Sequence, residues 1–293
     1  MRIAIIGADG QLGTDLVPAL KGQDVVPLFW PEFDITRAEA AAETLSQIRA
    51  DAVINTAAFH RVDECEDRAD SAFAVNALAV RDLARTCRSL GAVLVHFSTD
   101  YVFDGTKRTP YLEEDRPGPL SVYAASKLAG EHFVRAYADR AFVIRTCGLY
   151  GKSGCLGKGR NFVETMLHLA ASGRKEIKVI DDQVVTPTPT MELAARVAEL
   201  VRTDAYGLYH MTAEGSCSWH EFARAIFELA GGDPSIVVPV DSAAFGAKAR
   251  RPAYSVLENA RMKATGLTPF SLWRDALSAY LSGISSVSRG RTE

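Results

Sequence analysis

The chain has 293 residues, 47% of them hydrophobic and 24% charged, proportions of one large globular domain or two fused ones and outside the range of disordered chains. With 33 basic against 36 acidic residues the formal net charge is −3, which excludes the basic surface that a general nucleic-acid or anionic-membrane binder requires. The five cysteines, Cys65, Cys87, Cys147, Cys155 and Cys217, are irregularly spaced and form no C-x-x-C pair, so neither a disulfide framework nor a zinc site is expected.

The first residues already read as a buried strand, Ile3 to Ile6. That apolar run is too short for a signal peptide, and no later stretch approaches a membrane span. A cytoplasmic protein with free thiols and no membrane partner is therefore expected. Further buried strands are predicted at Val25 to Leu28, Ala52 to Ile54, Val93 to Phe97 and Phe142 to Ile144. Helical patterns fall between them at Leu12 to Leu20, Ala38 to Ile48, Ala69 to Leu90 and Val122 to Tyr137. Alternation of this kind implies an α/β fold, a Rossmann-type doubly wound parallel sheet. Residues 1–150 are expected to form the dinucleotide-binding domain, completed by later excursions of the chain.

After Tyr150 the rhythm loosens. A glycine-rich basic loop spans Gly151 to Arg160, and the break Thr186-Pro187-Thr188-Pro189 places Thr188 or Thr190 to cap a helix. Residues 151–284 are expected to form mainly a smaller C-terminal substrate-binding lobe, interleaved with the first domain. A last helix is predicted from about Ser271 to Leu281, followed by a frayed tail over 285–293.

The first strand leads into Gly7-Ala8-Asp9-Gly10-Gln11-Leu12-Gly13. In a G-x-x-G-x-x-G turn the first glycine permits the tight turn, the second lets backbone amides approach a diphosphate, and the third packs helix on strand. The second strand ends Leu28-Phe29-Trp30-Pro31-Glu32, where neither ring can bond a ribose hydroxyl or pair with a 2′-phosphate. Arg37 is the nearest basic residue. Tyr123 and Lys127 are spaced i, i+4 and share one helix face. An ammonium beside a phenol lowers its pKa and suits it to proton transfer at a carbonyl or alcohol. Thr99 ends the fourth strand, on the side of the sheet where ligands bind. The small residues Asn55-Thr56-Ala57-Ala58 end the third.

Taken together, these segments resemble the extended short-chain dehydrogenase/reductase superfamily, and more finely the dTDP-4-dehydrorhamnose reductases. The finer resemblance adds Val62-Asp63-Glu64-Cys65-Glu66, Ser98-Thr99-Asp100-Tyr101-Val102-Phe103, Asp104-Gly105, Lys127-Leu128-Ala129-Gly130-Glu131, Arg145-Thr146, Asn161-Phe162, Asp182-Gln183, Thr186-Pro187-Thr188 and Arg251-Pro252. It runs from residue 1 to about Leu281. It implies NADPH- or NADH-dependent reduction of a nucleotide sugar, with Thr99, Tyr123 and Lys127 as the catalytic set. It implies a cofactor site of Gly7, Gly10, Gln11, Leu12, Gly13, Asp34, Ile35, Ala57, Ala58, Phe59 and Phe97, together with Tyr123 and Lys127. It implies substrate contacts at Thr99, Asp100, Tyr101, Asn161, Gln183 and Arg250. No carboxylate cluster in the sequence forces a metal, so none is expected, and a homodimer is the assembly to test. The basic residues Lys152, Lys158, Arg160, Lys248, Arg250 and Arg251 are expected to meet the substrate diphosphate. The chain departs from the family at Gly148, where many relatives carry tryptophan against the sugar, and at Phe29-Trp30, where many carry a charged pair. Alternatives within the resemblance are another nucleotide sugar and a non-catalytic NADP-binding subunit, like the regulatory subunit of methionine adenosyltransferase.

Overall fold

The computed structural model describes residues 1–153 and 159–289. The chain opens with β1 (Arg2–Ile6), α1 (Gly13–Ala19), β2 (Asp24–Leu28), α2 (Ala38–Ile48), β3 (Ala52–Asn55), α3 (Val62–Asp67), α4 (Ala69–Phe73), α5 (Ala79–Leu90), β4 (Val93–Thr99), α6 (Val122–Tyr137) and β5 (Ala141–Thr146). It continues with β6 (Leu149–Tyr150), α7 (Phe162–Ala171), β7 (Ile177–Ile180), β8 (Val184–Val185), β9 (Thr188–Pro189), α8 (Thr190–Leu200), β10 (Gly207–His210), β11 (Cys217–Ser218), α9 (Trp219–Leu229), β12 (Val237–Val240), α10 (Ser242–Phe245), α11 (Ala260–Ala264) and α12 (Trp273–Arg289).

Six parallel strands form the central sheet in the order β10-β5-β4-β3-β1-β2. Every residue of β3, β4 and β5 is buried, as befits strands covered on both faces. The pleat of β1 divides its side chains between two cores. Ile3 and Ile5 pack with Leu16 of α1 and Leu193 and Val197 of α8, whereas Ala4 and Ile6 pack with Leu45 of α2 and Val80 and Leu83 of α5. Because strand order reverses between β1 and β3, a crevice opens at their carboxyl ends. The registers Ile6↔Asn55, Asn55↔His96 and Thr99↔Thr146 bring Gly7, Thr56, Asp100 and Cys147 to the same rim.

The later segments do not form a separate block. β10 returns to the edge of the sheet beside β5, and α8 covers α1. A third core joins α9, α12 and β7 through Phe222, Ile226, Leu277, Tyr280 and Ile177. The strip 149–151 stitches the parts together. The Leu149 carbonyl accepts from Gln11 Nε2 at 2.9 Å, and the Gly151 carbonyl accepts from Asn161 Nδ2 and from the Tyr280 hydroxyl, both at 2.8 Å.

Three local expectations are corrected. The helix predicted over 69–90 is interrupted by a π-helical turn, Ala74–Leu78. Neither Thr188 nor Thr190 caps α8: its N-cap is Pro189, with no side-chain cap, and the Thr190 hydroxyl instead donates to Asp15 Oδ2 at 2.5 Å. The last helix runs to Arg289, eight residues past the predicted end at Leu281, so the tail expected to fray from 285 is helical as far as it is described. Residues 290–293 lie outside the described residues, as do Cys155 and Lys158 of the basic loop.

Candidate active site

The glycine turn is set by close approach. Gly7 has φ +74°, and a Cβ on it would stand 2.7 Å from Thr56 Oγ1. That hydroxyl donates to the carbonyls of Ile6 and Gly7, tying the β3 loop to the turn. A Cβ on Gly13 would stand 2.2 Å from the Gly7 carbonyl oxygen, so α1 begins in contact with the loop itself. The amides of Gln11 and Leu12 donate to no carbonyl among the described residues, and they sit at the amino end of α1. Two free amides in a cradle that any Cβ would fill suit a diphosphate. The side chains of Gln11, Leu12, Ile35 and Phe97 turn elsewhere: Gln11 reaches Leu149, and the other three are buried in the cores. Asp34 folds onto Thr36, accepting from its amide and hydroxyl. Phe29 and Trp30, which could have been core, are 45% and 69% exposed.

The loop Ala57-Ala58-Phe59 is held by a residue that spacing did not single out. Asn76, buried in the π-helical turn, accepts from the Phe59 amide at 2.8 Å. It donates to the Phe59 carbonyl and to Ser126 Oγ, both at 3.0 Å. Ser126 in turn donates to the Tyr123 carbonyl. One amide side chain therefore connects the Ala57 to Phe59 loop with the first turn of α6. The only sequence signal was a polar residue on the inner face of an otherwise apolar helical stretch.

Helix α6 is placed at its start by Ser121, whose hydroxyl accepts from the Ala124 amide, and by Glu66 of α3, which accepts from the Val122 amide at 2.9 Å. Tyr123 is half-buried and meets Tyr101 edge-on, with ring centroids 6.3 Å apart. The Tyr101 amide donates to Thr99 Oγ1, so Thr99, Tyr101 and Tyr123 share one wall. Lys127 is 3% exposed. Burial pulls its pKa down to about 8 against the opposing pull of Glu131. His96, also buried, is pushed well below its usual value by burial and by the Lys127 charge. Glu131 is held by Arg145 through two hydrogen bonds of 2.9 and 2.7 Å and by the Ser98 hydroxyl, all three groups buried.

Asp100 lies behind Thr99, 3% exposed. Its Oδ1 accepts from the Thr99 hydroxyl and its Oδ2 from the Cys147 thiol, each at 3.1 Å. Burial raises its pKa to about 6, and the hydroxyls and thiol around it oppose the rise. Burial likewise lifts the Cys147 thiol far above its usual range, so it is a neutral donor.

The remaining predicted residues take different positions. Asn161 forms a capping box with Glu164 at the start of α7. Gln183 is buried and donates to Ser242 Oγ at 2.8 Å. Arg250 is exposed. Arg251 forms a two-point pair with Asp63 at 2.9 and 3.2 Å and holds that carboxyl below its usual pKa, and Lys248 pairs with Asp67. The basic run at 248–251 thus meets acids of α3, which removes Lys248 and Arg251 as free phosphate ligands. Gly148, with φ +54°, has the Trp219 ring edge 3.4 Å from where its Cβ would be. No group of three or more metal-ligating side chains occurs among the described residues.

Sequence and structure comparisons identify the family. The RmlD substrate binding domain pattern matches residues 1–286. The chain is 42% identical to dTDP-4-dehydrorhamnose reductase of Mycobacterium tuberculosis H37Rv, over 96% of this chain and 92% of that protein. It is 38% identical to dTDP-4-keto-6-deoxy-D-glucose reductase of Streptomyces niveus, over 94% and 95%. A crystal structure of dTDP-4-dehydrorhamnose reductase from Bacillus anthracis, in complex with NADP, superposes with a TM-score of 0.91 at 37% identity, covering 96% of this chain and 99% of that one. A family pattern over residues 1–286 and relatives that match across nearly their whole length make the chain a member of the dTDP-4-dehydrorhamnose reductase family.

Proposed function

We propose that the protein reduces the 4-keto group of dTDP-4-dehydro-L-rhamnose to give dTDP-L-rhamnose, using NADPH or NADH. What supports this reading is that Thr99 and Tyr123 both adjoin Tyr101 and that Lys127 lies buried one turn along α6 from Tyr123. When bound there, the reduced nicotinamide cofactor supplies the hydride that C4 receives. Tyr123 gives its phenolic proton to the C4 oxygen. Lys127, one helical turn away, favours the phenolate that is left and takes part in holding the ribose. The main chain of Gly10 to Leu12 faces the diphosphate, and the Ala57 to Phe59 loop limits the ribose pocket. The intact proton path favours an enzyme over a purely regulatory binder.

A second reading keeps the chemistry and changes the keto sugar. It rests on the Streptomyces niveus relative and on Gly148, where the wall is formed by a ring from α9. The test is NADPH oxidation by the purified protein with dTDP-4-dehydro-L-rhamnose and with dTDP-4-keto-6-deoxy-D-glucose. Higher kcat/KM for the first supports the proposal, and turnover of the second alone replaces it. No helix of the described residues is long and apolar enough to cross a membrane, and a cytoplasmic location is proposed with the function. A homodimer is proposed as the assembly, and sedimentation equilibrium reads it out.

A further inference from the structure

Thr99 has one hydroxyl hydrogen, and the structure shows where it goes. The hydroxyl offers one donor and two lone pairs. The Tyr101 amide occupies one lone pair at 3.2 Å, and the hydrogen points to Asp100 Oδ1 at 3.1 Å. One lone pair remains for the crevice. In this arrangement Thr99 can accept from a sugar hydroxyl, but it cannot donate to a carbonyl oxygen. Reduction of a ketone needs the opposite polarity, since charge develops on the oxygen as it becomes an alkoxide.

We propose that Asp100 is a positioning residue that sets the direction of the Thr99 hydrogen: the ionised carboxylate takes it, and the neutral carboxyl returns it to the substrate oxygen. The surroundings are built for both states. Cys147 approaches from the end of β5 and donates to Oδ2 at 3.1 Å. Its thiol engages Oδ2, which leaves Oδ1, facing Thr99, as the oxygen on which the proposal places the proton. With that proton Asp100 donates to Thr99 Oγ1, and the Thr99 hydrogen turns to the crevice. The groups that face Asp100 are the Thr99 and Ser255 hydroxyls, the Cys147 thiol and the Tyr101 phenol. Arg251 acts on the Tyr101 phenol and is paired with Asp63. Among the described residues the main influences on Asp100 are burial and neutral hydroxyl and thiol donors, and burial brings its pKa to about 6, within reach of working pH. A carboxyl that touched the sugar would need exposure, and Asp100 has almost none.

The inference rests on the reductase reading, and the experiment separates the two. The pH dependence of kcat for keto-sugar reduction is measured for the wild type, Asp100→Asn and Cys147→Ala, with thermal melting as a folding control. In Asp100→Asn the thiol still draws the amide oxygen, and the amide NH2 donates to Thr99 at every pH. The wild type is expected to lose kcat as pH rises through the Asp100 ionisation, by up to the roughly 10²–10³-fold that one oxyanion donor contributes. Asp100→Asn is expected to show no such step between about pH 5 and 7.5 and to keep the low-pH kcat. Cys147→Ala removes a donor that stabilises the anion, so the step is expected to move to higher pH. A step that persists unchanged in Asp100→Asn overturns the proposal. If that variant fails to fold, an unmoved step in Cys147→Ala overturns it. If the wild type turns over neither keto sugar at any pH, the reductase reading itself fails.

Discussion

Lys127 holds its ammonium where water barely reaches, and the same burial that fits it for the site costs stability. Its pKa of about 8 lies below the ordinary 10.5. Between these values the unfolded chain binds more protons than the folded one, so this group's contribution to stability rises with pH across that window. Below pH 8 both states are charged and the full penalty stands. Lys127→Met is therefore expected to raise the melting temperature at pH 7, by a gain of up to about 3 kcal/mol, while reduction is lost. Differential scanning calorimetry decides it: a variant that melts below the wild type contradicts the reading. Tyr123→Phe makes the contrasting change, since it removes only a hydroxyl from a half-buried ring. Its kcat is expected to fall about 10²–10⁴-fold, with NADPH affinity by titration close to wild type. An unchanged kcat would remove Tyr123 from the proton path.

At the scale of elements, the π-helical turn Ala74–Leu78 deserves the weight that a continuous helix would not carry. Such a turn inserts one residue and re-aims those around it, and here it brings Asn76 to Phe59 and Ser126 together. Asn76→Ala leaves the amide and carbonyl of Phe59 without their partner, a loss of about 1–3 kcal/mol. It is expected to raise Kd for NADPH more than KM for the sugar, because the freed loop is the one proposed to border the ribose. Equal effects on both would make Asn76 a general stability residue. The break itself was not legible in the sequence: Ala69 to Leu90 keeps an apolar period that a straight helix would also satisfy, and a π turn leaves no compositional mark. The strands and α6 were legible because burial on both faces and the i, i+4 pair Tyr123/Lys127 are local patterns. What local pattern could not show is pairing at long range. Arg251 meets Asp63 across 188 positions and Thr190 meets Asp15 across 175, so residues that read as a phosphate patch and a helix cap are instead tethers between elements. Asp100 was placed at the substrate, and only the burial around it shows that it lies behind Thr99.

For the whole molecule, the end of β2 bears on cofactor choice. Preference for NADH needs a carboxylate that repels a 2′-phosphate, and preference for NADPH needs a nearby cation. Phe29 and Trp30 stand exposed there without charge, Asp34 is tied to Thr36, and Arg37 is exposed just before α2. The ratio of kcat/KM for the two cofactors is expected to stay within about a hundredfold, or roughly 2.7 kcal/mol. A larger ratio would mean that a charged group reaches the ribose from another segment.

The strip 149–151 has a consequence for how distant parts of the molecule open. One end of it is bonded to Gln11 in the glycine turn and the other to Tyr280 in the last helix. A ligand that quiets the turn must then make local unfolding of α12 more costly, and by thermodynamic reciprocity loosening α12 must weaken the ligand. Amide hydrogen exchange in α12 is expected to slow when NADPH binds, although no residue of that helix need touch the cofactor. Tyr280→Phe, which removes the hydroxyl that bonds Gly151 and also meets Asn161, is expected to reduce both that protection and the affinity. Exchange rates in α12 that ignore the cofactor would show that the strip joins the two ends without transmitting between them.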